Sequence, residues 1–409
     1  MFGYTNGGFA VISADDLVPE VLGVSEADFV QNDNPGFNWW LKAIDEVITD
    51  AVKNNKKLGI TKPDPNKYKA EVPTMVTTLW GQQSPYNKLL PNTKKGHIIT
   101  GCVATATAQV MYYHKWPKTR PADYVRTEGD DAWKSTTYWW DDMKDTAGKM
   151  YSRRSEQAIG VFMRDIGNAV RMRYYHKGSD SNLQYACNAL RDKFDYTVRY
   201  LDKDVLPANE FHSEVMQELS NGYPVLVVGG PHAFVYDGYD ERGFIHTNWG
   251  WGGESDGYFD INTIYLNVHG FALSGTFWDD MSVVFAHPNN GKASRFKDIE
   301  RGLDARTTTA FTISKTDATR QERLSAKISK LGSYSSVKGE LGVFTGKVAL
   351  ALYNDKNQQV KIYPSIGDNV VWASIFTNMT FEVYDIHFDN MANGNYRLVP
   401  VYSETVSYT

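Results

Sequence analysis

The chain contains very little cysteine, since only Cys102 and Cys187 occur among its 409 residues. Two cysteines do not make the disulfide framework of a small secreted fold, and one reactive thiol beside one inert core thiol fits the count better. The sequence also has no H-E-x-x-H motif and no C-x-x-C pair. We therefore expect neither a metal site nor a cofactor.

Long hydrophobic runs and strong charge are missing as well. No stretch of about 18 apolar residues occurs, so the sequence predicts no membrane span. A formal net charge of -5 without long Lys/Arg runs argues against nucleic acid as the main partner. The opening Met1-Phe2-Gly3 lacks the basic and apolar regions of a signal peptide. Two interpretations stay open: a cytoplasmic protein, or a chain that begins after a signal and inside a prosegment.

The chain is long enough for more than one domain, since single domains usually span about 100–200 residues. Residues 1–66 combine two short predicted strands with an amphipathic helix and end in a linker rich in proline and lysine. In residues 67–290 the predicted helices come first and the strands afterwards, which indicates an α+β domain. Residues 291–409 alternate polar and apolar positions between turns and predict a β-sandwich of about 100 residues. The predicted N-terminal helix has one apolar stripe, formed by Leu41, Ile44, Ile48 and Val52.

Cys102 stands at the predicted start of a helix, directly after Thr100-Gly101 and before a run of small residues. A cysteine in the first helical turn meets unpaired backbone N–H groups and the positive end of the helix dipole, which lower its pKa. This setting predicts a nucleophile, although a buried core thiol is the alternative. Cys187 fits that alternative better, because it shares an apolar helical face with neighbouring leucine and alanine residues.

Among nine histidines, His232 is the best candidate for the base. It follows a Gly-Gly-Pro turn and precedes a predicted strand, so it is expected on a loop and held in place, as a proton acceptor should be. A loop histidine with a purely structural hydrogen bond is the alternative. His246 is a rival base, but it lies within a predicted strand and ranks lower.

Residues 248–253 (NWGWGG) follow the next predicted strand and supply an orienting group. The amide oxygen of Asn248 can hold an imidazole in the correct tautomer, and the indole of Trp249 can shield that bond from water. A tryptophan–glycine cluster can also be an aromatic corner of a core. The chain order Cys102, His232, Asn248, with about 130 residues between the first two, is the papain-type order.

Residues 253–257 match the serine-hydrolase pattern G-x-S-x-G, which would make Ser255 an alternative nucleophile. That pattern requires a strand before the serine and a helix after it. Here glycine and tryptophan turns precede Ser255 and a predicted strand follows, so Ser255 is not expected to be a nucleophile.

The sequence resembles the streptopain family of papain-like bacterial cysteine peptidases, the interpain-like members included. Residues 81–87 (GQQSPYN) resemble the stretch with the family's oxyanion-hole glutamine, and Gln82 is the matching position. The N-terminal strands and helix resemble the end of the family's prosegment, and the likeness covers most of residues 7–287. Three further segments match in order and spacing: 101–109 (GCVATATAQ), 232–235 (HAFV) and 248–256 (NWGWGGESD).

The resemblance implies a cysteine endopeptidase that acts on protein or peptide substrates and is made as a latent zymogen. Cys102 would attack, and His232 would take and return the proton. Asn248 with Trp249 would orient and shield His232. Gln82 and the backbone N–H of Cys102 would stabilise the oxyanion, and one such donor is typically worth about 2.7–4 kcal/mol.

The expected architecture is α+β: a small α/β prosegment over 1–66, a papain-like domain over 67–290 and an immunoglobulin-like β-sandwich over 291–409. The prosegment would act as an intramolecular inhibitor. Its turn at residues 32–38 is the candidate plug, with Asn38 favoured, and a helix N-terminus capped by Asn38 or Asn34 is the alternative. We expect a bacterial monomer that is secreted, periplasmic or at the cell surface, with a role in virulence and its signal peptide not in this chain.

Two other functions stay open on the sequence alone. A Cys–His–Asn set fixes acyl transfer but not the acceptor, so a thiol-dependent amidase or acyltransferase could use the same fold. A surface-binding protein that acts through its C-terminal domain is the third hypothesis, and it expects Cys102→Ala to leave the function unchanged.

Overall fold

The computed structural model describes the chain except for residues 6, 31–33, 94–95, 147–150, 176–177, 204–205, 263, 265–280, 297–300, 336–346, 366–378 and 404–409. It divides into two compact units, Met1–Lys297 and Asp298–Thr409. No helix in the described part is long and apolar enough to cross a membrane. The first unit also has 3-10 turns at Ala122–Tyr124 and Trp140–Asp142. Its α-helices are α1 (Pro35–Lys53), α2 (Cys102–His114), α3 (Asp131–Lys134), α4 (Arg153–Ala169), α5 (Leu183–Asp192) and α6 (Ala208–Ser220).

One large antiparallel sheet organises the first unit. The strands of this unit are β1 (Phe2–Gly3), β2 (Phe9–Ile12), β3 (Val21–Ser25), β4 (Asn92–Thr93), β5 (Gly96–His97), β6 (Arg173–Tyr175), β7 (Gly178–Asp180), β8 (Tyr196–Asp202), β9 (Val225–Gly229), β10 (His232–Tyr239), β11 (Ile245–Asn248), β12 (Gly257–Phe259) and β13 (Met281–Pro288). The large sheet has the order β1-β2-β3-β12-β11-β10-β9-β13-β8, while β4 with β5 and β6 with β7 form two small hairpins. Strand β3 pairs with β12, so the N-terminal residues and the predicted peptidase region share one sheet.

Helix α1 begins where the sequence supplies its start signals. Asn34 caps the helix by accepting from the backbone N–H groups of Gly36 and Phe37, and Pro35 occupies the first position. The buried face contains Phe37, Trp39 and Trp40 in addition to aliphatic residues. The buried face of α1 therefore differs from the predicted aliphatic stripe. The three large aromatic side chains bury more apolar surface than the aliphatic residues do, so they decide which face of the helix packs inward.

Helix α2 is buried along nearly its whole length, from Val103 to Tyr112. Its residues are mostly small, so it can pack closely against β10 and α4. This central position brings the N-terminus of α2 to the start of β10.

The predicted linker lacks helix and strand over residues 61–71 but is attached to the first unit. Val72 and Tyr239 exchange two backbone hydrogen bonds of 2.8 and 2.9 Å. Tyr239 also donates its hydroxyl to the backbone oxygen of Lys69. Two runs of this segment are exposed, residues 65–67 and 69–71.

The second unit is built from strands alone among its described residues. They are β14 (Arg301–Ile313), β15 (Leu324–Ser335), β16 (Lys347–Tyr353), β17 (Gln359–Pro364), β18 (Met379–Ile386) and β19 (Arg397–Ser403). They form two sheets, β14-β15-β18 and β17-β16-β19. Both sheets contribute to one core, which includes Ile328 and Val383 from the first and Leu350 and Tyr363 from the second.

The end of the first unit generates a testable prediction. Phe296 is 3% exposed and stacks on Phe285 and His287, while Arg295 bonds Glu218, which is fully buried. A chain that ends at residue 290 loses these contacts, and a chain that ends at residue 297 keeps them. We expect the shorter chain to be less stable by roughly 3–5 kcal/mol, the usual cost of removing a buried phenylalanine. Urea denaturation of both truncated proteins measures the difference, and equal stabilities would show that residues 291–297 contribute nothing.

Candidate active site

The predicted nucleophile, Cys102, is the first residue of α2. Gly101 precedes the helix with φ 86° and provides no capping side chain. A Cβ at Gly101 would lie 2.6 Å from Sδ of Met172, so both the backbone angle and the space favour glycine here. The first-turn N–H groups are thus left for the Cys102 sulfur or for a bound oxyanion.

The Cys102 thiol is protonated in this conformation. Burial raises its pKa and is the largest effect, while the backbone N–H groups of Ala233, Val103 and Cys102 oppose that rise. The negative charge of Asp180 adds to the rise. The contact with Ala233 places the sulfur beside the residue that follows His232.

The expectation of an exposed loop position for His232 is wrong. His232 is the first residue of strand β10 and is buried, with 2% of the residue exposed, because β10 lies inside the large sheet. Its Nε2 lies 2.8 Å from the backbone oxygen of Trp249. A carbonyl oxygen only accepts, so Nε2–H is the donor and Nδ1 is the basic nitrogen. Burial lowers the pKa of His232 to about 4, and the Trp249 bond offsets this only in part. The imidazole is therefore neutral here, as the thiol is.

No hydrogen bond joins Asn248 to His232 among the described residues, where the sequence predicts an amide–imidazole bond. Nδ2 of Asn248 donates to the backbone oxygen of Thr78 at 2.7 Å. Its Oδ1 accepts from Nε2 of Gln109 and from the backbone N–H of Gly250, both at 3.0 Å. These partners come from distant segments and already satisfy the amide, so a backbone carbonyl takes the place beside His232.

The indole of Trp249 is fully buried and packs against Phe37, Phe234 and Phe259. Its Nε1 donates to the backbone oxygen of Ser255 at 2.8 Å. A second tryptophan, Trp251, lies edge-on to His232 with 5.7 Å between ring centroids. Sequence reasoning did not single out Trp251, although the NWGWGG segment contains it.

Gln82 lies close in space to the nucleophile loop. Its backbone oxygen accepts from the N–H of Thr100 at 3.0 Å, two residues before Cys102. The side chain is 7% exposed and lines a cavity of about 550 Å³ together with Trp251 and Gly252. An amide at this position can donate a hydrogen bond into that cavity.

The rival candidates occupy other environments. His246 places Nδ1 2.6 Å from Oδ1 of Asp237, and this carboxylate raises the His246 pKa even though burial acts in the opposite direction. Ser255 is fully buried at φ 63° and is followed by β12, not by a helix. Cys187 is 3% exposed within α5. The described residues contain no group of three or more side chains that could hold a metal ion.

The start of α1 covers His232 and Trp249. A Cβ at Gly36 would lie 2.6 Å from Cε3 of Trp249 and 2.8 Å from Cδ2 of His232. Asn34 is fully buried and donates its Nδ2 to the backbone oxygen of Glu254 at 3.1 Å. Asn38, the favoured plug residue, is exposed, whereas Phe37, Trp39 and Trp40 on the same helix are buried. Residues 32 and 33 of the predicted plug lie outside the described residues.

Asp256 is a further residue of this region that sequence reasoning missed. Its Oδ1 accepts from the backbone N–H of Trp249 at 2.8 Å. Its Oδ2 is buried and has no hydrogen-bond partner among the described residues. Burial raises the Asp256 pKa to about 7, although the Trp249 bond and the charge of His246 act against that rise.

The raised pKa of Asp256 predicts a pH-dependent stability. A carboxyl group that titrates near 7 when folded, against about 3.9 when unfolded, stabilises the fold below about pH 4. That contribution is lost as the pH rises through about 7. Asparagine cannot ionise, so Asp256→Asn should gain stability relative to the parent protein between pH 5 and pH 8. Urea denaturation at both pH values, with Cys102 replaced by alanine in both proteins, measures the difference. A difference that stays constant would contradict the assignment.

Comparison with known proteins now identifies the chain's relatives. The profile of the Peptidase C10 family matches residues 80–259. Streptopain from Streptococcus pyogenes is 31% identical in an alignment of 297 positions that covers 64% of this chain and 74% of streptopain. The thiol protease/hemagglutinin PrtT from Porphyromonas gingivalis is 32% identical in an alignment of 306 positions that covers 68% of this chain and 35% of that protein.

A solved structure supports the same relationship. It is a fragment of prointerpain A from Prevotella intermedia in which a cysteine is replaced by alanine. It superimposes with a TM-score of 0.61 at 45% identity and covers 69% of this chain and 93% of that one. The family profile, the curated relatives and the papain-like structural match agree with the predicted resemblance. This chain therefore belongs to the Peptidase C10 family and is a bacterial cysteine endopeptidase of the streptopain type.

Proposed function

We propose that Cys102 is the nucleophile and His232 the general base of this peptidase. The observation that carries the proposal is the Cys102 sulfur beside the Ala233 N–H, because it puts the thiol next to the residue that follows the base. Nε2–H of His232 is engaged by Trp249, so Nδ1 receives the thiol proton. The thiolate then attacks the substrate carbonyl, and the imidazolium returns the proton to the leaving amine. Water, deprotonated by His232, hydrolyses the acyl-enzyme.

Gln82 and the backbone N–H of Cys102 are proposed as the oxyanion donors. The N–H of Cys102 belongs to a helix start without a side-chain cap, so it is available to an incoming oxygen. Gln82 is tied to the same loop through Thr100 and faces the cavity shared with Trp251. The Cys102 N–H is fixed by its place in the helix, and donors that are fixed before the reaction are the effective ones.

Asn248 and Trp249 support His232 in a way that differs from the sequence expectation. The backbone oxygen of Trp249 accepts from the imidazole and orients it directly. Asn248 accepts from the N–H of Gly250, which belongs to the same peptide unit as that oxygen, and so helps to hold the oxygen in place. The buried indole of Trp249 keeps water away from the His232–Trp249 bond.

We further propose that residues 1–66 are an inhibitory prosegment of a secreted zymogen. Support comes from Gly36, whose backbone lies against His232 and Trp249 and excludes water and substrate from the base. Burial lowers the His232 pKa, so removal of this cover should move that pKa back toward its ordinary range. The uncut form would then hold a neutral thiol–imidazole pair, and the cut form could ionise.

The proposed function also includes a division into domains and a location outside the cytoplasm. The peptidase domain would span 67–290, with residues 291–297 packed on it. The rest of 291–409 would form an immunoglobulin-like sandwich, which the two sheets of the second unit and their common core favour. We propose that the protein acts as a monomer on protein or peptide substrates outside the bacterial cytoplasm, with a role in virulence.

Intact mass spectrometry tests the nucleophile and the processing together. Incubation of the active protein with a peptidyl epoxide should add one inhibitor mass at Cys102, since the thiolate is the attacking species. The chain should shorten itself by about 65–72 residues on standing, because exposed linkers are preferred sites of cleavage. A Cys102→Ala protein should show neither change.

Two results would overturn parts of this proposal separately. Inhibitor mass on Cys187, or cleavage of the Cys102→Ala protein at the parent rate, would remove Cys102 as the nucleophile. Full activity of the uncut chain would make residues 1–66 a permanent domain and not an inhibitor.

Gly36 offers a direct test of the cover. Gly36→Ala should speed the conversion of the precursor, because the new Cβ collides with the buried ring of Trp249. Alanine is the better helix former by about 1 kcal/mol, so an effect of helix propensity alone would have the opposite sign.

Gly59→Ala is the matched control, since a Cβ at Gly59 meets nothing within 4 Å. Conversion rates are compared on gels over time, and turnover of the cut forms should be equal in all three proteins. If Gly36→Ala converts at the parent rate, then contact of α1 with the site does not maintain latency.

A further inference from the structure

A fully buried glutamine on the nucleophile helix makes two side-chain hydrogen bonds. Gln109 is 0% exposed, its Oε1 accepts from the hydroxyl of Thr78 at 2.8 Å, and its Nε2 donates to Oδ1 of Asn248 at 3.0 Å. A buried amide without partners is costly, so these bonds fix which end of Gln109 faces Asn248. The donor end faces Asn248 because the Asn248 atom on that side is Oδ1, which only accepts hydrogen bonds.

Asn248 is oriented just as firmly. Its Nδ2 donates to the backbone oxygen of Thr78 at 2.7 Å, which leaves Oδ1 to face Gln109 and Gly250. The N–H of Gly250 donates to this Oδ1 at 3.0 Å. Gly250 has φ 65°, which glycine adopts readily and most other residues do not.

The peptide between Trp249 and Gly250 connects this network to the base. Its N–H is bound by Asn248, and its carbonyl oxygen accepts from Nε2–H of His232 at 2.8 Å. A peptide unit is planar, so fixing the direction of the N–H also fixes the direction of the C=O. The position of the Gln109 amide therefore determines where the Trp249 oxygen points.

We propose that Gln109 is a positioning residue, which sets His232 for proton transfer through Asn248 and the Trp249–Gly250 peptide. The inference rests on the proposed roles of Cys102 and His232. Cys102 and Gln109 lie two turns apart on one helix, about 10 Å along its axis. Helix α2 thus holds the proposed nucleophile, Cys102, at its N-terminus and the positioning residue, Gln109, on one of its faces.

A second buried side chain on the same helix serves the nucleophile loop. Thr105 donates its hydroxyl to the backbone oxygen of Gly101 and lies 2.8 Å from the hydroxyl of Thr100. Thr105 and Gln109 are four residues apart, so they lie on the same helical face. On this face, Thr105 bonds to the loop before Cys102. One turn later, Gln109 bonds to Asn248, which supports His232.

Gln109→Met removes both hydrogen-bonding ends at nearly constant volume. We expect kcat to fall about 10²-fold with KM nearly unchanged, because a displacement of about 1 Å at the base can cost that much. Activity is measured on a fluorogenic peptide with the cut enzyme, at equal concentrations of active sites titrated with a peptidyl epoxide.

Gln109→Glu provides a readout that a purely structural role would not move. A protonated glutamic acid can donate to Asn248 as the amide does, whereas a carboxylate cannot. The ratio of variant to parent kcat/KM should therefore fall as the pH rises. A ratio that does not change with pH would contradict the proposal, and this variant decides the question if Gln109→Met does not fold.

Thr107→Val is the matched control, since Thr107 is fully buried on the same helix and its hydroxyl bonds, within the described part of the chain, only the backbone oxygen of Val103. This variant should change the melting temperature but not kcat. Parent-like kcat in Gln109→Met would overturn the inference even if Cys102→Ala is inactive. Activity of Cys102→Ala would instead overturn the proposed nucleophile.

Discussion

The hydrogen bond from Nε2 of His232 to the backbone oxygen of Trp249 is the interaction on which the site depends. It assigns the proton to Nε2, leaves Nδ1 basic and fixes the plane of the ring. A backbone carbonyl cannot rotate as a side-chain amide can, so its direction is set by the surrounding loop. The loop is held at Gly250 by Asn248 and at the Trp249 N–H by Asp256. The glycine-rich sequence is required because this loop turns at positive φ.

Burial gives the same site two opposite properties. It protects the hydrogen bonds from water and strengthens them, and it also makes ionisation of Cys102 and His232 unfavourable. The N-terminal region supplies part of that burial through Gly36, while β3 extends the sheet at β12. Because β3 pairs with β12, the N-terminal region can be held by regular backbone hydrogen bonds. It needs no covalent bond to Cys102. One packing arrangement thus protects the loop and would also account for the latency that we propose.

The sequence predicted those parts of the site that depend on local structure. A cysteine after glycine at a helix start is a local feature, and Cys102 lies where the pattern indicates. The apolar helical face of Cys187 is equally local. His232 does stand at a strand start, but it belongs to the strand and is buried, which depends on the packing of the whole sheet. The partners of Asn248 were not predictable in this way, since Thr78 and Gln109 are 170 and 139 positions away. Likewise the exposure of Asn38 depends on how α1 packs against the aromatic residues of the sheet.

Ser255 and Asp256 have features that lower the stability of this loop. Ser255 adopts φ 63°, its hydroxyl has no partner among the described residues, and Oδ2 of Asp256 is likewise unpaired there. Each of these features costs free energy, and such costs persist where the surrounding structure needs the geometry. Here the Ser255 carbonyl holds the Trp249 indole and the Asp256 carboxylate holds the Trp249 N–H. The strained residues are therefore those that fix Trp249 from two sides, and Trp249 in turn fixes the base.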